Sequence, residues 1–111
     1  MKIEQQKIGT VDIFIPVGAL VDQDVDTFIN RLRNQVDTGN PRMVLSMQEV
    51  PYMDSAAMEG FLDISETMKH QAVEMKLSQV TPTCREIFEL TGLSNRFRFF
   101  EDIQDAVKSF M

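Results

Sequence analysis

Between Arg42 and Met68 the chain passes from an apolar run to an amphipathic one across a single short turn. Met43 to Met47 is mostly apolar, as expected of a central strand covered by helices. After Val50-Pro51-Tyr52-Met53-Asp54-Ser55, the residues Phe61, Leu62, Ile64 and Met68 recur at helical spacing. An apolar strand that ends in a short turn and feeds a helix is the unit that, repeated along a chain, builds an α/β fold. It also places Asp54 and Ser55 where the helix opens.

The flanking sequence repeats that alternation. Lys2 to Ile8 and Val11 to Val17 read as two strands joined by a Gly9-Thr10 turn, a hairpin signal. In the second, Val11, Ile13, Ile15 and Val17 alternate with Asp12, Phe14 and Pro16, which predicts one well-buried face. Asp22 or Asp24 can cap a following helix in which Val25, Phe28, Ile29, Leu32 and Val36 form the apolar side, while Asp26, Arg31, Arg33 and Gln35 face water. Burying those five apolar side chains contributes on the order of 10 kcal/mol as an upper bound. Gly39-Asn40-Pro41 stops that helix.

Beyond Met68, Val73 to Leu77 alternates as a strand, and Pro82 begins a helix with Ile87, Phe88 and Leu90 on its apolar side and Gly92 as its stop. Phe97 to Phe100 reads as a short strand. Asp102 or Glu101 opens a last helix whose core side is Ile103, Ala106, Val107 and Phe110. The order predicts a mixed sheet of about five strands, an antiparallel N-terminal hairpin followed by βα crossovers, packed with about four helices. No repeat, low-complexity tract or linker interrupts residues 1–111, so the expectation is a single domain.

Composition narrows the function. With 43% apolar and 25% charged residues the chain has the balance of a soluble globular protein. No apolar run approaches the roughly 18 residues of a membrane span, and the N-terminus lacks a signal-peptide core, so a cytoplasmic protein is expected. A formal charge of −6 argues against nucleic-acid binding and favours protein partners. The lone Cys84 rules out an internal disulfide or a multi-Cys metal site and is expected to be a half-buried helical residue. His70, also alone, sits at the polar end of a helix without the partners a triad or dyad needs. Neither a cofactor nor a metal is implied.

The Asp54-Ser55 junction keeps two readings open on pattern alone. A serine at a helix start is most often only a cap, worth about 1 kcal/mol. Asp54 can be the cap instead, which leaves the Ser55 hydroxyl free for chemistry. Ala56, Ala57 and Gly60 leave the backbone approachable, and Met58 offers an adaptable apolar contact. Met43, Met47, Met53, Met68 and Met75, like Phe97, Phe99 and Phe100, are expected in the core.

Three pieces together give a family resemblance. Val17-Gly18-Ala19-Leu20, Tyr52-Met53-Asp54-Ser55, and Thr81-Pro82 with Ile87-Phe88-Glu89-Leu90-Thr91-Gly92-Leu93 occur in the order and spacing of a STAS domain, and the chain resembles the stand-alone bacterial anti-sigma factor antagonists of that family. The resemblance implies partner switching. The unmodified protein binds an anti-sigma factor that is itself a serine kinase and frees the sigma factor, phosphorylation of the serine after the aspartate blocks that binding, and a metal-dependent serine phosphatase resets the cycle. By that resemblance the phosphoacceptor is Ser55, and the partner-binding residues are Asp54, Ser55, Ala56 and Met58 with Gly18, Leu20, Asp22 and Asp24. The protein would be a monomer or weak homodimer and not an enzyme.

Where relatives carry an acidic loop and a Gly-Leu-Gly-like run, this chain has Ala19-Leu20-Val21 and Ala57-Met58-Glu59, with acidity displaced to Asp22 and Asp24. An alternative function is a STAS scaffold or subunit of a larger lipid-transport or stress-sensing assembly in which Ser55 is not phosphorylated. An enzyme using Asp54 or Ser55 as nucleophile would need an activating base and a phosphate loop or metal set that the sequence lacks.

Overall fold

The computed structural model describes residues 1–111 as a five-stranded sheet with helices on both faces. Strands β1 (Lys2–Ile8) and β2 (Val11–Val17) form the antiparallel hairpin, with Lys2 opposite Val17 and Ile8 opposite Val11. Strands β3 (Arg42–Ser46), β4 (Glu74–Ser78) and β5 (Phe99–Phe100) join parallel to β2, in the spatial order β1-β2-β3-β4-β5. Helices α1 (Gln23–Asp37), α2 (Ser55–His70), α3 (Pro82–Leu90) and α4 (Ile103–Lys108) occupy the connections and the C-terminus. None is long and apolar enough to cross a membrane.

Two hydrophobic clusters lie on opposite sides of the sheet. The larger joins Phe14, Met43, Leu45, Met75 and Leu77 to the inner faces of α1, α2 and α3. Phe61 is at its aromatic centre, with ring centroids 5.9 Å from Phe28, 5.1 Å from Phe88 and 6.0 Å from Phe97. The smaller joins Val11, Ile13 and Val44 to Ala106 and Val107 of α4. At Gly60 the two long helices approach so closely that an added Cβ would lie 2.8 Å from Ile29 Cγ1.

Several expectations are corrected by this two-sided packing. Strand β2 buries both faces, because Asp12 and Phe14 sit under α1 and α2 while Val11 and Ile13 sit under α4. Asp12 is tolerated there because its carboxylate accepts from Gln35 Nε2 at 2.6 Å and from Asn40 Nδ2, which turns Gln35 inward instead of into water. Leu90 is 79% exposed and Leu62 39% exposed, so neither contributes to its helix's core side. Cys84 is fully buried. The strand expected over Phe97 to Phe100 is only Phe99–Phe100, since a 3-10 turn over Leu93–Arg96 occupies the approach and Phe97 packs against Phe61. Strands β3 and β4 are shifted by one residue from expectation, ending at Ser46 and Ser78.

Candidate functional site

Ser55 is presented by the loop between β3 and α2, and backbone bonds hold that loop in place. Gly18 N–H donates to Glu49 O at 2.9 Å, Leu20 N–H to Tyr52 O at 3.0 Å, and Asp54 N–H to Leu20 O at 3.1 Å. Leu20 and Met53 thus form a one-residue parallel bridge that extends the sheet beyond β2 and β3. Gly18 allows the chain to leave β2 toward that bridge because its φ is +111°, a conformation side chains disfavour.

Asp54 closes the arrangement with its two carboxylate oxygens. Oδ1 accepts from the Ala57 N–H at 3.0 Å and caps α2, while Oδ2 accepts from the Asp22 N–H at 3.0 Å and clips the β2–α1 loop to the helix start. The Asp22 N–H first and the Ala57 N–H second hold this carboxyl below its ordinary value of 3.8, against a smaller opposing effect of burial. Of the two readings left open by pattern, Asp54 is therefore the cap. Ser55 is the first residue of α2, exposed and without capping duty.

The remaining expected residues are placed around this junction with two exceptions. Ala56 is exposed and Met58 half-buried on the first turns of α2, Gly18 is half-buried, and Asp24 is half-buried in the first turn of α1. Leu20 is fully buried, so it supports the surface from beneath and presents no side chain to a partner. Asp22 occupies the capping position of α1, but its side chain makes no cap bond. Its φ of +50° serves to aim its N–H at Asp54.

Tyr52, 49% exposed beside Asp54, is the large apolar surface residue that the expected set omitted. Its position in the Tyr52-Met53-Asp54-Ser55 signature was the signal that could have included it. Alongside, a groove of about 330 Å³ runs between α1 and α2, with Val25 and Ile29 on its floor and Asp26, Glu59 and Asp63 among its lining residues. A larger cavity, about 670 Å³, lies elsewhere, between the C-terminal half of α2 and the Leu93–Arg96 turn, where Arg96 pairs with Glu66. No three His, Cys, Asp or Glu side chains gather as a metal site.

A family model described as the STAS domain matches residues 2–106. The chain belongs to the STAS domain family. BtrV of Bordetella bronchiseptica, a candidate anti-sigma factor antagonist, is 26% identical to this STAS domain over 110 residues, covering 99% of this chain and 95% of BtrV. A candidate anti-sigma factor antagonist from Thermotoga maritima superposes with a TM-score of 0.89 at 16% identity, covering 96% of this chain and 92% of the other. The unphosphorylated form of the anti-sigma factor antagonist SpoIIAA superposes at 0.82 with 15% identity, covering 98% and 96%. The phosphorylated form of SpoIIAA, a Bacillus cell-fate determinant, superposes at 0.77 with 15% identity, covering 99% and 100%. The mixed five-stranded sheet is therefore the STAS fold.

Proposed function

We propose that this STAS domain is an anti-sigma factor antagonist that acts by partner switching, with Ser55 as the phosphoacceptor. The observation that carries this is the division of labour at the start of α2: Asp54 makes the cap bonds, and Ser55, one residue on, is exposed with nothing structural to do. The named relatives support the class of activity, and SpoIIAA is known in unphosphorylated and phosphorylated forms.

The chemistry of the junction fits a switch that works by charge. Unmodified, the surface of Tyr52, Ser55, Ala56 and Met58 offers a small, partly apolar face for an anti-sigma factor with serine kinase activity. A phosphoryl group adds roughly −1.5 to −2 charges. The free end of α2 accommodates that charge within the protein through its N–H groups and dipole, so the fold is kept. A partner docked there would have to bury the same charge near Asp22, Asp54 and Glu59, which weakens binding by repulsion and desolvation. Removal of the phosphate by a metal-dependent serine phosphatase restores the face.

Ser55 acts in this scheme as a substrate and the domain as a binding module. His70, the chain's one histidine, closes the opposite end of α2, about 22 Å away at about 1.5 Å rise per residue, and is no base for the Ser55 hydroxyl.

The test is incubation with the serine kinases of the host and ATP, followed by mass spectrometry of wild type and Ser55→Ala. All incorporated phosphate is expected on the Ser55 peptide and none on the variant. Labelling that persists in Ser55→Ala, or a Ser55→Asp form that binds the kinase as tightly as wild type, would sink the proposal.

A further inference from the structure

The loop that carries Tyr52 and Asp54 is held on a second side by α3. The Val50 carbonyl oxygen accepts from Thr81 Oγ1 at 2.9 Å and from the Cys84 thiol at 3.5 Å. Val50 and Cys84 are fully buried and Thr81 is half-buried, so these two side chains are the carbonyl's main donors while the loop is in place. Thr81 stands at the N-cap position of α3, where a threonine ordinarily bonds its own helix. Here it makes no side-chain cap bond and donates its hydroxyl proton to the loop instead. Pro51 follows directly and restricts the backbone of Val50, so the orientation set at that carbonyl passes stiffly toward Asp54 and Ser55.

We propose that Thr81 is a positioning residue for the Ser55 docking surface: with Cys84 it clamps the Val50 carbonyl and so fixes the loop that presents the serine to its kinase. This role rests on Ser55 being the phosphoacceptor, while the clamp itself does not. One lost buried hydrogen bond shifts a local opening equilibrium about fivefold, which is read directly at the buried thiol.

The intact protein is compared as wild type, Thr81→Val, Thr81→Ala and Thr81→Ser. Val and Ala remove the donor, and Ser restores it. The first readout needs no kinase: the rate at which Cys84 reacts with a disulfide reagent such as DTNB, without denaturant, rises about fivefold in the Val and Ala forms and returns to the wild-type value in the Ser form. The second is steady-state phosphorylation by the kinase that labels wild type. KM for the domain rises about twofold or more with kcat little changed, because a loop without the clamp presents Ser55 in more than one closed orientation, again restored by Ser.

A hydroxyl that only stabilised the fold would lower Tm and leave KM alone. Unchanged thiol rates in Thr81→Val and Thr81→Ala, or a Ser form that behaves like Val, overturn the clamp. Faster thiol reaction with an unchanged KM overturns the positioning role. If no kinase labels wild-type Ser55, the phosphoacceptor reading and the positioning role fail together, and the thiol rates still decide the clamp.

Discussion

Asp54 does two jobs with one carboxylate, and both depend on its charge. Its pKa in the folded protein lies below the ordinary 3.8, so its contribution to stability is complete above that value and is lost as pH falls through the folded value. Asp54→Ala is expected to lower Tm at pH 7, with the gap to wild type closing in strong acid as wild type loses the same bonds. A gap that stays constant in thermal melts down to pH 2 would show that the carboxylate charge is irrelevant to the clip.

Lys76 presents the opposite case. It is 2% exposed under α4, donates to Ser109 Oγ at 2.6 Å, and has its ammonium 3.9 Å from the Phe110 ring centre. Burial pushes its pKa below the ordinary 10.5, with Glu74 opposing and Arg98 assisting. The folded state then sheds its proton at lower pH than the unfolded chain, so wild-type stability rises with pH between the depressed value and 10.5. Lys76→Met, which removes the charge cost together with the Ser109 bond, the Phe110 contact and the Glu74 attraction, is expected to change stability by less than about 1 kcal/mol at pH 7. Denaturant titrations should show the difference moving in favour of wild type as pH rises toward 10; movement the other way contradicts the assignment.

At the scale of elements, α1 and α2 form one unit through the contact at Gly60. An alanine there meets Ile29 Cγ1 at 2.8 Å and Cδ1 at 3.0 Å, too close unless the Ile29 side chain turns away or α1 shifts. Gly60→Ala is expected to destabilise by about 1–3 kcal/mol in spite of alanine's better helix propensity. Adding Ile29→Ala should show a favourable coupling in a double-mutant cycle of urea midpoints, and strict additivity would place the clash elsewhere. The junction is also an element-scale object. The β2–α1 loop reaches it through Leu20 and Asp22, and α3 reaches it through Thr81 and Cys84, so Ser55 is presented by three connections at once.

Across the whole molecule, charge is distributed unevenly. Asp22, Asp24, Asp26, Glu49 and Glu59 lie toward the end of the sheet that presents Ser55, whereas at the other end Arg42, Lys69 and Arg96 are balanced by Asp37, Glu66 and Glu74, in a chain of net charge −6. A partner that docks at Ser55 through a basic surface would be steered by this field. Its association rate is expected to fall several-fold between about 50 and 500 mM salt while its dissociation rate changes little. Stopped-flow mixing with the kinase measures both, and a salt-independent association rate would exclude electrostatic steering.

The order of strands and helices was legible residue by residue, because hydrophobic period, Gly9, Gly39-Asn40-Pro41, Pro82 and Gly92 act on their own neighbours. The Asp54-Ser55 junction was legible for the same reason, as an N-cap is a bond across three residues. Which of the two residues caps could not be read locally, since the second Asp54 bond goes to Asp22, far away in the chain. The burial of Leu20, Cys84 and Lys76, the two buried faces of β2, and the exposure of Leu62 and Leu90 were equally out of reach. Each depends on which distant segment packs alongside. A periodic pattern states that a face is apolar, and only the assembled layers establish what covers it.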